Sequence, residues 1–208
     1  MKDNNIAFWD TEIEISKSNV RIFPLSRGSK ISDFRFEKFW RSENRVLTKE
    51  ENFHEFSKSG VKVISFLSPE WNNYNQNYLE RLILCNNEIS SLGGQLCLFV
   101  NSQSELIESF LRDSEILFTI GNDVDFSFAK SLGVFDVNHQ AWNKISGVSE
   151  LGPFPSIFVV NKNSEIVYSH IDVTYDKPFS FLEIAVSVYH ERQKRFWNDE
   201  NVVLSRGL

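Results

Sequence analysis

The sequence predicts an α/β fold, a mixed β-sheet flanked by helices, and three observations carry that expectation. Two apolar runs, "VKVISFL" at 61–67 and "QLCLFV" at 95–100, are continuous rather than alternating, as expected of strands buried on both faces. Amphipathic stretches at helical spacing separate and follow them, as in Tyr78, Leu82, Cys85, Ile89 and Leu92. Near the end, "SIFVVN" and "EIVYSH" flank the turn "KNS" and read as a hairpin. Alternating β and α units that close on a hairpin imply a mixed sheet covered by helices.

In chain order, "TEIEIS" and "VRIFPL" alternate around "KSN" and predict an N-terminal β-hairpin extension within residues 1–27. "GSKISDFRFEKFW" reads as irregular or short-strand structure. "RVLTKEENFHEF" reads as a short strand entering a helix, with Thr48 as cap and Glu51 three residues on. After the strand at 61–67, a helix spans about residues 73–91 and stops at Gly93–Gly94. The strand at 95–100 leads to a helix at 104–113, a strand "EILFTI", a helix "DVDFSFAKSLG" and an irregular stretch reaching Pro155. The terminal hairpin and a helix from about Ser180 to Arg195 complete a domain of residues 28–195, leaving 196–208 as a tail.

Composition excludes several function classes. The chain has 208 residues, 41% hydrophobic and 14% aromatic, with 19 Phe, so aromatic packing should carry much of one core. The net charge of −6 offers no basic stripe for nucleic acid, and "HERQKR" at 190–195 reads as the solvated face of a helix. No secretory pattern opens the chain, and no run approaches the roughly 20 apolar residues of a membrane span. A soluble, cytoplasmic protein is expected. Cys85 and Cys97 lie inside apolar segments and do not form a disulfide framework.

Several motifs, weak one by one, share an order with a known family. These are "GSKISDF" (28–34), Trp71-Asn72-Asn73-Tyr74-Asn75 after the strand, "QLCLFVNSQ", "DVDFSFAKSLGV" and "PFPSIFVVNKNSEIVYSHIDVTY". In that order they resemble the peroxiredoxin-like branch of the alkyl hydroperoxide reductase C/thiol-specific antioxidant family, over residues 28 to about 190. The resemblance implies a thioredoxin-like fold of peroxiredoxin type. It places the family's Trp-Cys-x-x-Cys on Trp71, Asn72 and Asn75, so both redox positions carry Asn. The family's upstream Pro and Thr positions fall on Ser65 and Pro69, and its late Arg on Pro155. The resemblance also implies a cis peptide between Phe154 and Pro155, facing Asn72, and pairing of copies into a homodimer.

The chemistry follows from those departures. An amide is neither nucleophile nor electron donor, so Asn72 cannot form the sulfenic acid that peroxide reduction requires. Asn72 can cap the helix that follows. Alternatively, Asn72 and Asn75 present amides beside Trp71, Tyr74, Phe154 and Pro155 in a cleft for a polar ligand. Cys85 and Cys97 sit mid-helix and mid-strand, without the electropositive setting that lowers a thiol pKa. His170 and Asp172, two apart at a strand end, are candidates for an acid/base pair, with Tyr74 or Tyr175 beside them. His54, His139, His170 and His190 have no metal-ligand spacing, and neither metal nor cofactor is expected. The leading expectation is a redox-inactive pseudoenzyme that binds a protein partner or small-molecule ligand. The alternatives are a non-redox enzyme using the same cleft and residual thiol chemistry at Cys85 or Cys97.

Overall fold

The computed structural model describes residues 23–43, 45–67, 73–136 and 152–205, with only the backbone described at 73, 75 and 195–205. The chain orders its elements as β1 (Arg35–Ser42), β2 (Arg45–Asn52), α1 (Phe53–Lys58), β3 (Val61–Phe66), α2 (Asn73–Ser91), β4 (Gly94–Val100), α3 (Ser104–Asp113), β5 (Thr119–Asn122), α4 (Ser127–Ser131), β6 (Ser156–Val160), β7 (Ile166–Ile171) and α5 (Phe181–Ser205). They build one mixed seven-stranded sheet in the order β2-β1-β5-β4-β3-β6-β7. The predicted mixed sheet with flanking helices is present, and the described chain opens it with a β-hairpin.

That hairpin is β1–β2, paired from Arg35↔Asn52 to Ser42↔Arg45. Most of the hairpin expected at 11–25 lies outside the described residues, and residues 23–25 are in no strand. The β2–α1 junction corrects the predicted cap. Asn52, not Thr48, caps α1, its side-chain oxygen accepting from Glu55 N at 3.2 Å. Thr48 donates across the hairpin to Glu37 instead, and Glu51 pairs with Lys38. The strand runs on past the predicted cap to Asn52 because its partner β1 continues to pair it.

A second correction concerns residues 115–133. The strand begins at Thr119, where β4 and β1 both pair with it, and the helix shrinks to Ser127–Ser131. Asp123 explains the late start. Its buried carboxylate accepts from Phe128 N at 3.0 Å and Ala129 N at 2.9 Å, after Phe126 has turned the chain at φ 56°. At the other end, α5 runs past residue 195 to Ser205. The Phe154–Pro155 peptide is trans, as is every described peptide bond, which corrects the cis expectation. Here Pro155 sits in an extended approach to β6, its carbonyl accepting from Asp172 N at 2.8 Å, and trans is the intrinsic preference even before proline.

Two cores pack on the two faces of the sheet. One joins β3, β4 and β6 to α2, α3 and α5 through Val63, Leu82, Leu98, Leu111, Ile157 and Ile184. The other accounts for the abundance of Phe: rings of Phe34, Phe36, Phe53, Phe66, Phe99, Phe128 and Phe158 contact one another in sequence. Gly121 is required there, because a Cβ would lie 2.4 Å from the Phe99 ring.

Lys62 is fully buried in central β3. Its ammonium donates to Ser59 Oγ at 2.6 Å and to Gln95 Oε1, and sits 4.5 Å from the Phe56 ring centre. Desolvation, only partly offset by Cys97 and Glu51, lowers its pKa from 10.5 to about 8. Between those values the unfolded chain binds more protons than the native one, so this contribution to stability rises with pH and is lost as pH falls through about 8. Cys97 and Cys85, pushed up by burial, oppose the trend above about pH 9. Thermal melts should therefore show stability rising from pH 7 to 9. In Lys62→Met the rise should disappear and stability at pH 7 should increase by about 1–3 kcal/mol, since Ser59 and Gln95 are exposed and can bond water. A variant less stable than the parent with the same pH slope would contradict this account.

Candidate functional site

The site is built where β6 begins, β7 ends and α2 starts. Asp172 follows β7 directly and is almost fully buried. A buried carboxylate is tolerated only when its oxygens are well supplied with donors. Here the chain folds back over it. Oδ1 accepts from Thr174 N at 3.3 Å, Asp176 N at 3.2 Å and Thr174 Oγ1 at 3.5 Å; Oδ2 accepts from Lys177 N at 3.0 Å. Tyr175 adopts φ 57° in this tight turn, in the left-handed region. The fifth donor comes from another element. Tyr74, in the first turn of α2, donates its hydroxyl to Asp172 Oδ2 at 2.7 Å. One carboxylate thus ties the β7–α5 turn to the start of α2.

A second polar layer lies one helical turn on. Tyr78 donates to the Ser156 carbonyl at 3.2 Å, Ser65 Oγ reaches the same carbonyl at 3.1 Å, and the two hydroxyls are 3.1 Å apart. Ser156 Oγ is buried with no partner among the described residues. Rings close the site: Tyr74 meets Tyr175 edge-on with centroids 5.1 Å apart, Tyr175 lies 6.3 Å from Phe154, and Tyr78 packs edge-on against Phe179 at 5.1 Å. Burial first, and then the hydrogen bond to Asp172, push the Tyr74 phenol well above its ordinary pKa. Tyr175 is pushed up by burial and then by the Asp172 charge, and Tyr78 mainly by burial. All three keep their protons at neutral pH and act as donors and packing surfaces rather than bases.

The structure therefore gathers Tyr74, Phe154, Pro155, Asp172 and Tyr175 at one end of the sheet. It does not join His170 to Asp172. His170 Nε2 donates to the Lys177 carbonyl at 2.7 Å, so both side chains hold the 174–177 turn and neither engages the other. Trp71 and Asn72 lie outside the described residues; Asn75 lies within α2, its side chain undescribed. Tyr78, Ser65 and Ser156 were not among the site residues expected from the sequence. Tyr78 follows Tyr74 at helical spacing, and Ser65 interrupts an apolar strand, so each carried a signal.

Neither thiol belongs to the site. Cys97 is fully buried in β4 and burial drives its pKa up; Cys85 is half-buried on α2 and burial raises it too. Among the described residues no group of three His, Cys, Asp or Glu side chains is placed to hold a metal ion, and no helix is long and apolar enough to cross a membrane.

No protein-family model matches the chain, and no curated protein does. Solved structures match closely in shape. The reduced 2-Cys peroxiredoxin of Plasmodium vivax aligns with a TM-score of 0.63 at 12% identity, covering 84% of this chain and 86% of that one. AhpC of Enterococcus faecalis aligns at 0.62 and 12% identity over 86% and 97% of the two chains, and AhpC of Mycobacterium tuberculosis at 0.60 and 10% over 79% and 92%. The fold is that of the peroxiredoxins. Within this peroxiredoxin fold the chain holds two cysteines, both in packing positions.

Removing the Asp172 carboxylate would strand several part-buried donors, whereas removing the Tyr74 hydroxyl deletes one donor of five. Asp172→Ala should thus cost about 2–4 kcal/mol and Tyr74→Phe about 1–2 kcal/mol in urea unfolding. In the double variant the costs should fall well short of additive, because both report on one contact. Full additivity would show that the bond carries no coupling energy.

Proposed function

We propose that this protein is a redox-inactive peroxiredoxin-like protein that works by binding a protein partner or a small polar ligand in the cleft corresponding to a peroxiredoxin active site. In this reading Trp71, Asn72, Tyr74, Asn75, Phe154 and Pro155 form the cleft, and no cofactor takes part. The observation that carries it is the combination of a peroxiredoxin fold with thiols confined to core positions of raised pKa. Peroxide reduction needs an accessible thiolate. The trans Phe154–Pro155 bond does not support the placement of the cleft, which rests instead on Asn72 preceding α2 in the chain and Asn75 lying in its first turn. Acid/base catalysis through His170, Asp172 and Tyr175 is the weaker reading, because the carboxylate is saturated by donors and the imidazole is committed to a backbone carbonyl.

The same reading takes the protein to be a cytoplasmic homodimer. The two sheet edges differ in a way that supports pairing at one of them. Edge strand β2 carries Arg45, Lys49, Glu50 and Glu51, charges of the kind that discourage edge-to-edge association. Edge strand β7, "IVYSHI", carries no Asp, Glu, Lys or Arg. Packed against it, α5 exposes Leu182, Val186 and Tyr189 at i, i+4 and i+7.

Wild-type protein should not consume hydrogen peroxide with a thiol reductant, and Cys85→Ala or Cys97→Ala should leave ligand or partner binding intact. The paired change Asn72→Cys and Asn75→Cys should create a thiol at a helix start that reacts faster with a thiol probe than Cys85 or Cys97. Peroxide turnover by the wild type, abolished by losing either native cysteine, would overturn the proposal. Light scattering at micromolar concentration should give twice the chain mass, shifting to monomer on Val167→Lys; an unchanged monomer would remove the dimer from the account.

A further inference from the structure

A second cleft opens toward the other end of α2 and owes nothing to the reading of the first. Asn86 lies on that helix roughly 18 Å from Tyr74 along the axis, at about 1.5 Å per residue. Strand register makes room for the cleft. β1 pairs with β5 only over Glu37–Phe39, whereas its pairing with β2 continues to Ser42. The segment that enters β5, residues 114–118, lies in no strand. Between the free flank of β1, that segment and α2 is a cleft of about 650 Å³, lined by Arg41, Glu43, Ile83, Asn86, Glu115 and Leu117, among others.

Asn86 stands on the apolar stripe of α2, at helical spacing with the core residues Leu79, Leu82 and Ile89. Packing alone would place an apolar side chain there. The residue is only 9% exposed. Its amide forms no hydrogen bond among the described residues, and neither of its polar atoms is sealed off from solvent, so the head group opens on the cleft. A deeply set amide with no protein partner calls for one from outside the fold. Charges of both signs flank it. Arg41 is held in place by donation from Nη1 to Ser114 O at 2.9 Å, which leaves its other nitrogens free to donate. Arg41, Glu43 and Glu115 form no ion pair among the described residues. Ile83 and the exposed Leu117 add apolar surface to the same cleft.

We propose that this cleft binds a free α-amino acid with an apolar side chain. Arg41 takes the carboxylate, Glu43 or Glu115 takes the ammonium, and Ile83 and Leu117 take the side chain. Asn86 serves both ends of the head group, its Nδ2 donating to the carboxylate and its Oδ1 accepting from the ammonium. A simple acid or amine meets one sign of charge and a sugar neither, whereas a zwitterion meets both. A few fixed polar groups beside apolar surface, in a volume of this size, are the ordinary makings of a small-molecule site.

The test is an NMR titration of the full chain with L-leucine at pH 7 and constant ionic strength, following the Asn86 and Asn87 side-chain amides and the Leu117 methyls. Saturable shifts with millimolar affinity are expected. Asn86→Leu completes the apolar stripe, so its melting temperature should equal or exceed the parent's while binding weakens by about tenfold or more. Arg41→Met, on the exposed rim, should give a similar loss without touching the core, and Lys49→Met on the edge strand should bind as the parent does. Isovalerate and isoamylamine, each carrying one of the two charges, should bind about tenfold more weakly than leucine, and glucose should cause no saturable shift. Shifts that never saturate, that survive both Asn86→Leu and Arg41→Met, or that isovalerate, isoamylamine or glucose reproduces at equal affinity would overturn the proposal.

Discussion

A carboxylate shut away from water must be surrounded by donors, and the arrangement around Asp172 shows how much structure that requirement organises. Three backbone N–H groups come from the turn it heads, a hydroxyl comes from Thr174, and the phenol comes from Tyr74 on another element. The Asp172 amide reaches back to Pro155 at the entrance of β6. Three segments distant in sequence are thereby held at one corner. The start of α2, where a peroxiredoxin would place its thiol chemistry, is anchored through a phenol that keeps its proton.

The sheet beneath that corner is held by two different kinds of packing. Aliphatic residues dominate the face covered by α2, α3 and α5. Aromatic rings dominate the other, where Phe99 touches Phe34, Phe36, Phe66 and Phe128. Offset and edge-on ring pairs add specific geometry to area burial, so this face resists rearrangement as well as exposure. Lys62 is the exception in the middle of it. Its amine is retained at a cost in stability, and its neighbours Phe56, Ser59 and Gln95 are placed to reduce that cost rather than remove it.

Elements with a strong local pattern were legible in the sequence. The buried strands β3 and β4, the long helix α2, the helix α3 and the terminal hairpin follow from apolar runs and helical spacing alone. Elements set by distant partners were not. β2 looks like a short strand because its exposed residues are charged, and it is extended only by pairing with β1. The helix at 123–133 loses its first turn because Asp123 holds the chain from below. At the site, Tyr74 and Asp172 were each recognisable, but their bond joins residues 98 apart in the chain, and no local pattern announces it. Pro155 misled because its carbonyl serves the β7 end, a role invisible without the sheet register.

The central claim, that this peroxiredoxin fold operates without thiol chemistry, is tested most directly by trapping. Native protein treated with hydrogen peroxide and a sulfenic-acid probe, then digested and measured by mass spectrometry, should carry no adduct on Cys85 or Cys97 beyond what a heat-unfolded sample acquires. Rapid, stoichiometric labelling of either cysteine in the folded protein would contradict the account.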